Sequence, residues 1–400
     1  MINPSANGWI DKFFQEQLPP DLNQKKPHVL YEAVRKTGFI YGHVVSIYYK
    51  PEIYTKNLKT DELSKLALLS TLFEMFVFTT NSSDTSAFIQ SACLFYEFIA
   101  PKGFNLLNKI APPQASENLE ILLNARIQTN KDSISKSFSH IITNALLFID
   151  VLAYKKYLED SENPSKYLKK TETIIINTAL MGLRVKQNKS QHDNLLIKLF
   201  EASVRYTKFS KLLELEKNSS IESLELNTIT ETFLKLYLVD VTAMTLWSDG
   251  IMENDELYFL ETIAANLNLD AQLADKSTSD IDLFIKTYKN EISYLNYSNP
   301  VKHFYDNTSD SVSHLISRNK IRLIKELQES KELVQLLRQS THRDLEPIEK
   351  KKVKKQLLDI FKTIPSFAIF MLPGGSLLLP ICIRFIPQLL PSAFNENLED

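Results

Sequence analysis

Glycine is scarce, with eight in 400 residues, about 2% against an ordinary share near 7%. All-β and α/β folds spend glycine on tight turns and phosphate-holding loops, so this scarcity points to helices joined by polar loops. Cysteine is scarcer still: Cys93 and Cys382 cannot build a disulfide framework or a thiolate metal cluster. Neither sign of charge is in excess, since 46 basic and 48 acidic side chains leave a formal net charge of −2. That balance excludes a nucleic-acid coat, and DNA is not an expected partner. The start, MINPSANGWIDKFFQEQ, has no basic stretch followed by an apolar run, so no secretory signal is expected. Phosphate-loop, dinucleotide-loop and zinc-protease motifs are missing, as is the G-x-S-x-G elbow. The seven histidines form no i, i+4 pair. These absences argue against an enzyme.

What is present is helical. At 44% hydrophobic and 24% charged, the chain has enough apolar surface for more than one core. Leu66, Leu69, Leu72, Phe73 and Phe76 recur at helical spacing, as do Ile141, Ala145, Phe148, Val151 and Leu152. Leu257, Leu260, Ile263, Ala264 and Leu267 repeat the pattern, followed by Leu323, Leu327, Val334 and Leu337. The fold class expected is all-α, a set of multi-helix bundles. Two polar stretches, DSENPS at 160–165 and NYSNP at 296–300, divide the chain into helical regions 1–165, 166–300 and 301–400. The last region differs in charge, with 15 basic and 12 acidic side chains against 31 and 36 in residues 1–300.

The C-terminal region opens two questions. Lys350, Lys351, Lys352, Lys354 and Lys355 form the run KKKVKK. Such a run is either a solvated helix face or, at roughly 1 kcal/mol per lysine near a membrane surface, a contact for anionic lipid. Thr363 to Ile383 follows with 21 residues and no ionised side chain. As one helix it would reach about 31 Å, near the hydrocarbon thickness of a bilayer. Pro365, Pro373, Pro380 and Pro387 interrupt it, and Gly374 and Gly375 follow Pro373 in a strong turn signal. Arg384 stands at its far edge, where it would snorkel rather than relay protons. A membrane span, a re-entrant hairpin and a soluble core pair remain open. A single proline-kinked span lines a pore only by associating with copies of itself, which makes a homo-oligomer one expected state.

The block DIFKTIPSFAIFMLPGGSLLLPICIRFIPQLLPSAF, Asp359 to Phe394, resembles the signature of the Letm family of mitochondrial inner-membrane proteins. The shared parts are an amphipathic lead-in at Leu333 to Leu337, the lysine run, the apolar block Ile364 to Phe370, Leu378 to Pro380, and the ending Leu390 to Phe394. The resemblance covers about 75 residues by the spacing of these punctuating prolines. It implies cation exchange against protons, for K+ or Ca2+, and ribosome binding. The layout is more similar to bacterial Letm-related proteins described as biofilm-associated, which implies an inner-membrane location with the bulk of the chain cytoplasmic. No acidic residue lies within Thr363 to Ile383, so the segment alone lacks the ionisable group that a proton-coupled path requires.

Asp249, Gly250, Glu253, Asp255 and Glu256 lie between helical stretches at about Thr232–Trp247 and Asp255–Leu267. One reading is capping: Gly250 ends the first helix, Asn254 caps the second, and the acids favour its positive end. The other is a divalent-cation site on Asp249, Glu253 and Glu256, the single cofactor this sequence suggests. TAMTLWSDGIMENDELYFLETIAANLNL resembles the core of TerB-like tellurite-resistance domains, which implies a helical metal-sensing module. The expectation drawn from these features is a non-enzymatic, membrane-associated protein of cation homeostasis or envelope stress, bound to anionic lipid. The alternative is a soluble helical scaffold or ribosome-binding interaction protein.

Overall fold

A computed structural model describes residues 2–15, 26–51, 53, 55, 58–99, 114–127, 146–160, 163–185, 221–247, 252–270, 272–288, 290–291, 312–313, 315–317, 319–343, 345–364, 382–383 and 386. Among them the chain is all helical, without a strand. The α-helices are α1 (Trp9–Gln15), α2 (Pro27–Lys36), α3 (Thr60–Thr80), α4 (Thr85–Ile99), α5 (Ala115–Ile127), α6 (Phe148–Leu158) and α7 (Pro164–Val185). Next come α8 (Thr232–Leu246), α9 (Asn254–Asn266), α10 (Gln272–Tyr288), α11 (Lys320–Gln328), α12 (Lys331–His342) and α13 (Pro347–Thr363). The apolar stripe Leu323 to Leu337 is broken between α11 and α12 at Glu329 and Ser330, where serine favours a helix start over a helix interior.

The larger core runs from Ile2 to Phe284. Helix α8 is at its centre, packed against α7, α10, α9 and α2. Gly182 of α7 permits this closeness, because a Cβ there would stand 3.2 Å from Leu246 Cδ2. Gly38, with φ of +79°, turns the chain after α2, a conformation that glycine adopts without steric cost. That turn sets Tyr41 against Phe284 of α10 with ring centroids 4.8 Å apart.

A smaller core joins α11, α12 and α13 to Val312, Ile316, Cys382, Ile383 and Ile386. Helix α7 belongs to both. Ile174 and Ile175 face the larger core, while Ile176, Ala179, Leu180 and Leu183 face the smaller one. Residues 173–180 of α7 are buried on every side, a stretch that must be covered all round, and the two clusters cover it.

The expectation of a C-terminal membrane-associated helix is corrected here. Among the described residues, the helix long and apolar enough to cross a membrane is Thr60–Thr80, and 78% of its most apolar window is buried in protein. Several of its polar side chains are bonded within the fold, while the buried Thr79 hydroxyl has no partner among the described residues. Ser70 and Thr71 hydroxyls donate to the Ala67 carbonyl at 3.1 and 2.7 Å, and Lys65 donates to the Pro4 carbonyl at 3.2 Å. Glu74 accepts the Tyr48 and Tyr49 hydroxyls. At the other end, α13 stops at Thr363, and Ile364 is extended with φ −112° and ψ 106°. The ring of Pro365 disfavours helical geometry in the residue before it, so the lysine-bearing helix does not continue into the apolar segment. Cys382 and Ile383, the described residues at that segment's far end, are buried in the smaller core. Pro365, Pro373, Gly374, Gly375, Pro380, Arg384 and Pro387 lie outside the described residues.

Candidate functional site

The lysine run occupies the first half of α13. Glu346 caps this helix: its N–H donates to Glu349 Oε2 at 2.8 Å, completing a capping box with Pro347 in the first turn. Val353, Leu357, Ile360 and Phe361 form the buried stripe. That stripe points the remaining residues outward, because four-residue spacing returns to the same face. At the far end, the Arg322 guanidinium donates to the Thr363 carbonyl at 2.5 Å. It places a cation where the helix dipole favours one.

The charges on this surface are unequal in freedom. Lys352 donates to Glu332 Oε1 at 2.7 Å, and Gln356 donates to Glu332 Oε2 at 3.0 Å. These hydrogen bonds hold the Glu332 carboxyl below the usual carboxylate range and raise Lys352. Arg343 grips Glu349 with two bonds, of 2.8 and 2.7 Å, and that pairing holds the Glu349 carboxyl down at about 2. Lys354 is half-buried and engaged in an interaction of its own. Lys351 and Lys355 are exposed and Lys350 is half-buried; none of the three has a carboxylate partner among the described residues. Ile348 stands beside Lys351 and Lys355 at i+3 and i+7, and it is 71% exposed.

The acidic turn is organised differently. Glu253 is the N-cap of α9 and Asn254 its first helical residue. Glu256 is buried and its Oε2 accepts the Glu253 N–H at 2.8 Å, so the two carboxylates complete a capping box. Asp249 and Gly250 lie outside the described residues. Among the described residues, no three His, Cys, Asp or Glu side chains converge to hold a metal ion.

Two buried ion-pair centres escape a reading by motif. Asp240 in α8 accepts the Tyr31 hydroxyl at 2.7 Å, the Arg35 guanidinium at 3.3 Å and the Ser277 hydroxyl, tying α2 and α10 to α8. Burial raises the Asp240 carboxyl against the lowering by Arg35 and its hydrogen bonds. Asp150 in α6 receives two bonds from Arg126, at 2.6 and 3.0 Å, and one from Tyr96 at 3.3 Å. Both aspartates sit in apolar surroundings along the sequence, LYLVDVTAM and LLFIDVLAY. A lone acid in such a run is the signal that marks them, since a buried charge is retained only when paired. Both centres are enclosed and consolidate the fold, leaving the α12–α13 surface as the candidate site for a partner.

The LETM1-like RBD family model matches residues 345–400. The match begins in the residues that lead into α13 and takes in all five lysines of the run. The TerB resemblance receives no support from the comparisons. No curated protein and no solved structure gives a significant match to the chain.

Proposed function

We propose that this is a non-catalytic helical interaction protein whose C-terminal module, built on α13, docks on the ribosome. The observation that carries the reading is the coincidence of the LETM1-like RBD match at residues 345–400 with a helix whose outer face holds exposed lysines. A ribosome-binding domain meets a surface dominated by phosphate, and counterion release from it favours cationic side chains. The larger core then acts as a scaffold: α7 carries the smaller core on one face and is anchored in the larger core by the other.

Membrane attachment is the weaker reading, because Thr60–Thr80 is mostly enclosed by protein and its Lys65 and Glu74 are bonded to residues outside the helix. Cation homeostasis rests on the Letm resemblance alone, with no observation of its own. The test is sedimentation of the full chain with purified ribosomes through a sucrose cushion at low salt. Co-sedimentation that saturates with ribosome concentration is expected. A chain that stays at the top of the cushion at every ribosome concentration refutes the reading.

A further inference from the structure

The five lysines of the run in α13 fall into two groups that sequence alone does not separate. Lys352 is spent on Glu332, which reaches it from α12, 20 positions earlier, at 2.7 Å. Lys351 and Lys355 project from the opposite side to the buried stripe and have no ion-pair partner among the described residues, with the exposed Asp359 one turn beyond Lys355. They are four residues apart, about 6 Å along the helix axis, so both ammonium groups reach one extended polyanion. Their face contains no aromatic side chain to stack a base and no arginine to read a base edge in bidentate fashion. A point-charge lysine pair on a rigid helix suits the sugar–phosphate backbone.

From this geometry we infer that Lys351 and Lys355 contact RNA phosphates without regard to sequence, and that Glu332 limits the strength of the contact by holding Lys352 out of it. The inference rests on the ribosome reading and names the partner chemistry within it. Glu332 is itself half exposed and bonded at both oxygens, to Lys352 and to Gln356. It therefore occupies the position a phosphate would take beside Lys352. Neutralising it releases a third cation to the same strand. A purely structural role for the Glu332–Lys352 pair makes the opposite prediction, since its loss would then weaken the module and its binding.

The experiment measures binding of the full chain to a fluorescent 20-nucleotide oligouridylate across 50–200 mM salt, beside the ribosome sedimentation above. Each phosphate contact on a single strand contributes about −0.7 to the slope of log affinity against log salt. K351Q/K355Q should flatten the slope by about 1.4. E332Q should steepen it by about 0.7 and tighten binding at the lowest salt. E332Q/K352Q should return to the wild-type slope, which separates the released lysine from any other effect of the change. All four positions are exposed, so these variants leave the buried stripe intact.

An unchanged slope in K351Q/K355Q overturns the inference. If that variant still sediments with ribosomes, the ribosome reading stands and the contact is to protein. Weaker oligouridylate binding by E332Q overturns the role given to Glu332. Lysine-dependent binding to vesicles of phosphatidylglycerol and phosphatidylcholine, with none to oligouridylate, overturns the choice of RNA. If the oligonucleotide results hold while wild-type protein fails to sediment with ribosomes, the RNA contact stands and the ribosome reading falls.

Discussion

Removing the Asp150 carboxylate isolates the energetics of the larger core. Arg126 and Asp150 have side chains 7% and 0% exposed, joined by bonds of 2.6 and 3.0 Å. In Asp150→Ala the guanidinium stays buried without its counter-charge, and the Tyr96 hydroxyl loses its 3.3 Å acceptor. Loss of one partner from a buried pair costs about 3–5 kcal/mol, a large share of the roughly 5–15 kcal/mol that holds a folded protein together. Replacing both partners by apolar residues, as in Arg126→Met with Asp150→Leu, removes the stranded charge and should cost less than half as much. Urea unfolding followed by tryptophan fluorescence suits the measurement, because Trp9 is buried in the larger core, Trp247 packs against it, and the chain has no other tryptophan. The midpoint should fall sharply in the single variant and recover most of the way in the double. A single variant within about 1 kcal/mol of wild type, or a double variant as unstable as the single, would refute the placement of this pair as a desolvated centre.

Four further outcomes follow from the buried thiols, the smaller core, the Arg343–Glu349 pair and the apolar helix. Burial pushes the Cys382 thiol well above its usual range and Cys93 up to about 12, so neither should react with iodoacetamide at pH 8 until the chain opens. Leu337→Ala, at a fully buried position in the cluster that also holds Cys382, should cost about 2–5 kcal/mol and speed Cys382 alkylation before Cys93; equal protection of both thiols contradicts the two-cluster packing. Glu349 is held down to about 2 by Arg343, so its stabilising effect is complete above the ordinary carboxylate range and disappears as pH falls through about 2. NMR titration should show that midpoint rising toward the ordinary range in Arg343→Gln, short of it because the Glu346 N–H still donates to the carboxylate, and a midpoint that does not move removes the pairing. Finally, carbonate should extract a chain ending at Thr363 from any membranes it sediments with, because Thr60–Thr80 is packed in protein; retention in the pellet overturns that packing.

Helices were legible wherever burial followed a single stripe. The expected helices at Thr232–Trp247 and Asp255–Leu267 correspond to Thr232–Leu246 and Asn254–Asn266, because caps and periodicity are local properties. Glu253 rather than Asn254 takes the capping position, a shift of one residue that periodicity does not resolve. The apolar length of Thr363 to Ile383 misled for a physical reason: hydropathy measures what must leave water and is silent on whether lipid or protein receives it. The same ambiguity applies to α3, where the bonds of Lys65 to Pro4 and of Glu74 to Tyr48 and Tyr49 identify the surroundings as protein.

Sequence alone determined the helical class, through scarce glycine and 3.6-residue periodicity, and it located the lysine run on which the candidate site is built. Tertiary structure alone decided which lysines are available. Lys351 and Lys352 are neighbours in the chain, yet only Lys352 meets Glu332 from the adjacent helix. It also decided that Asp150 finds Arg126, 24 positions away, and that Asp240 finds Arg35, 205 positions away. Charge pairing depends on distances between side chains a few ångströms apart, and those are set by how helices pack rather than by where residues fall along the chain.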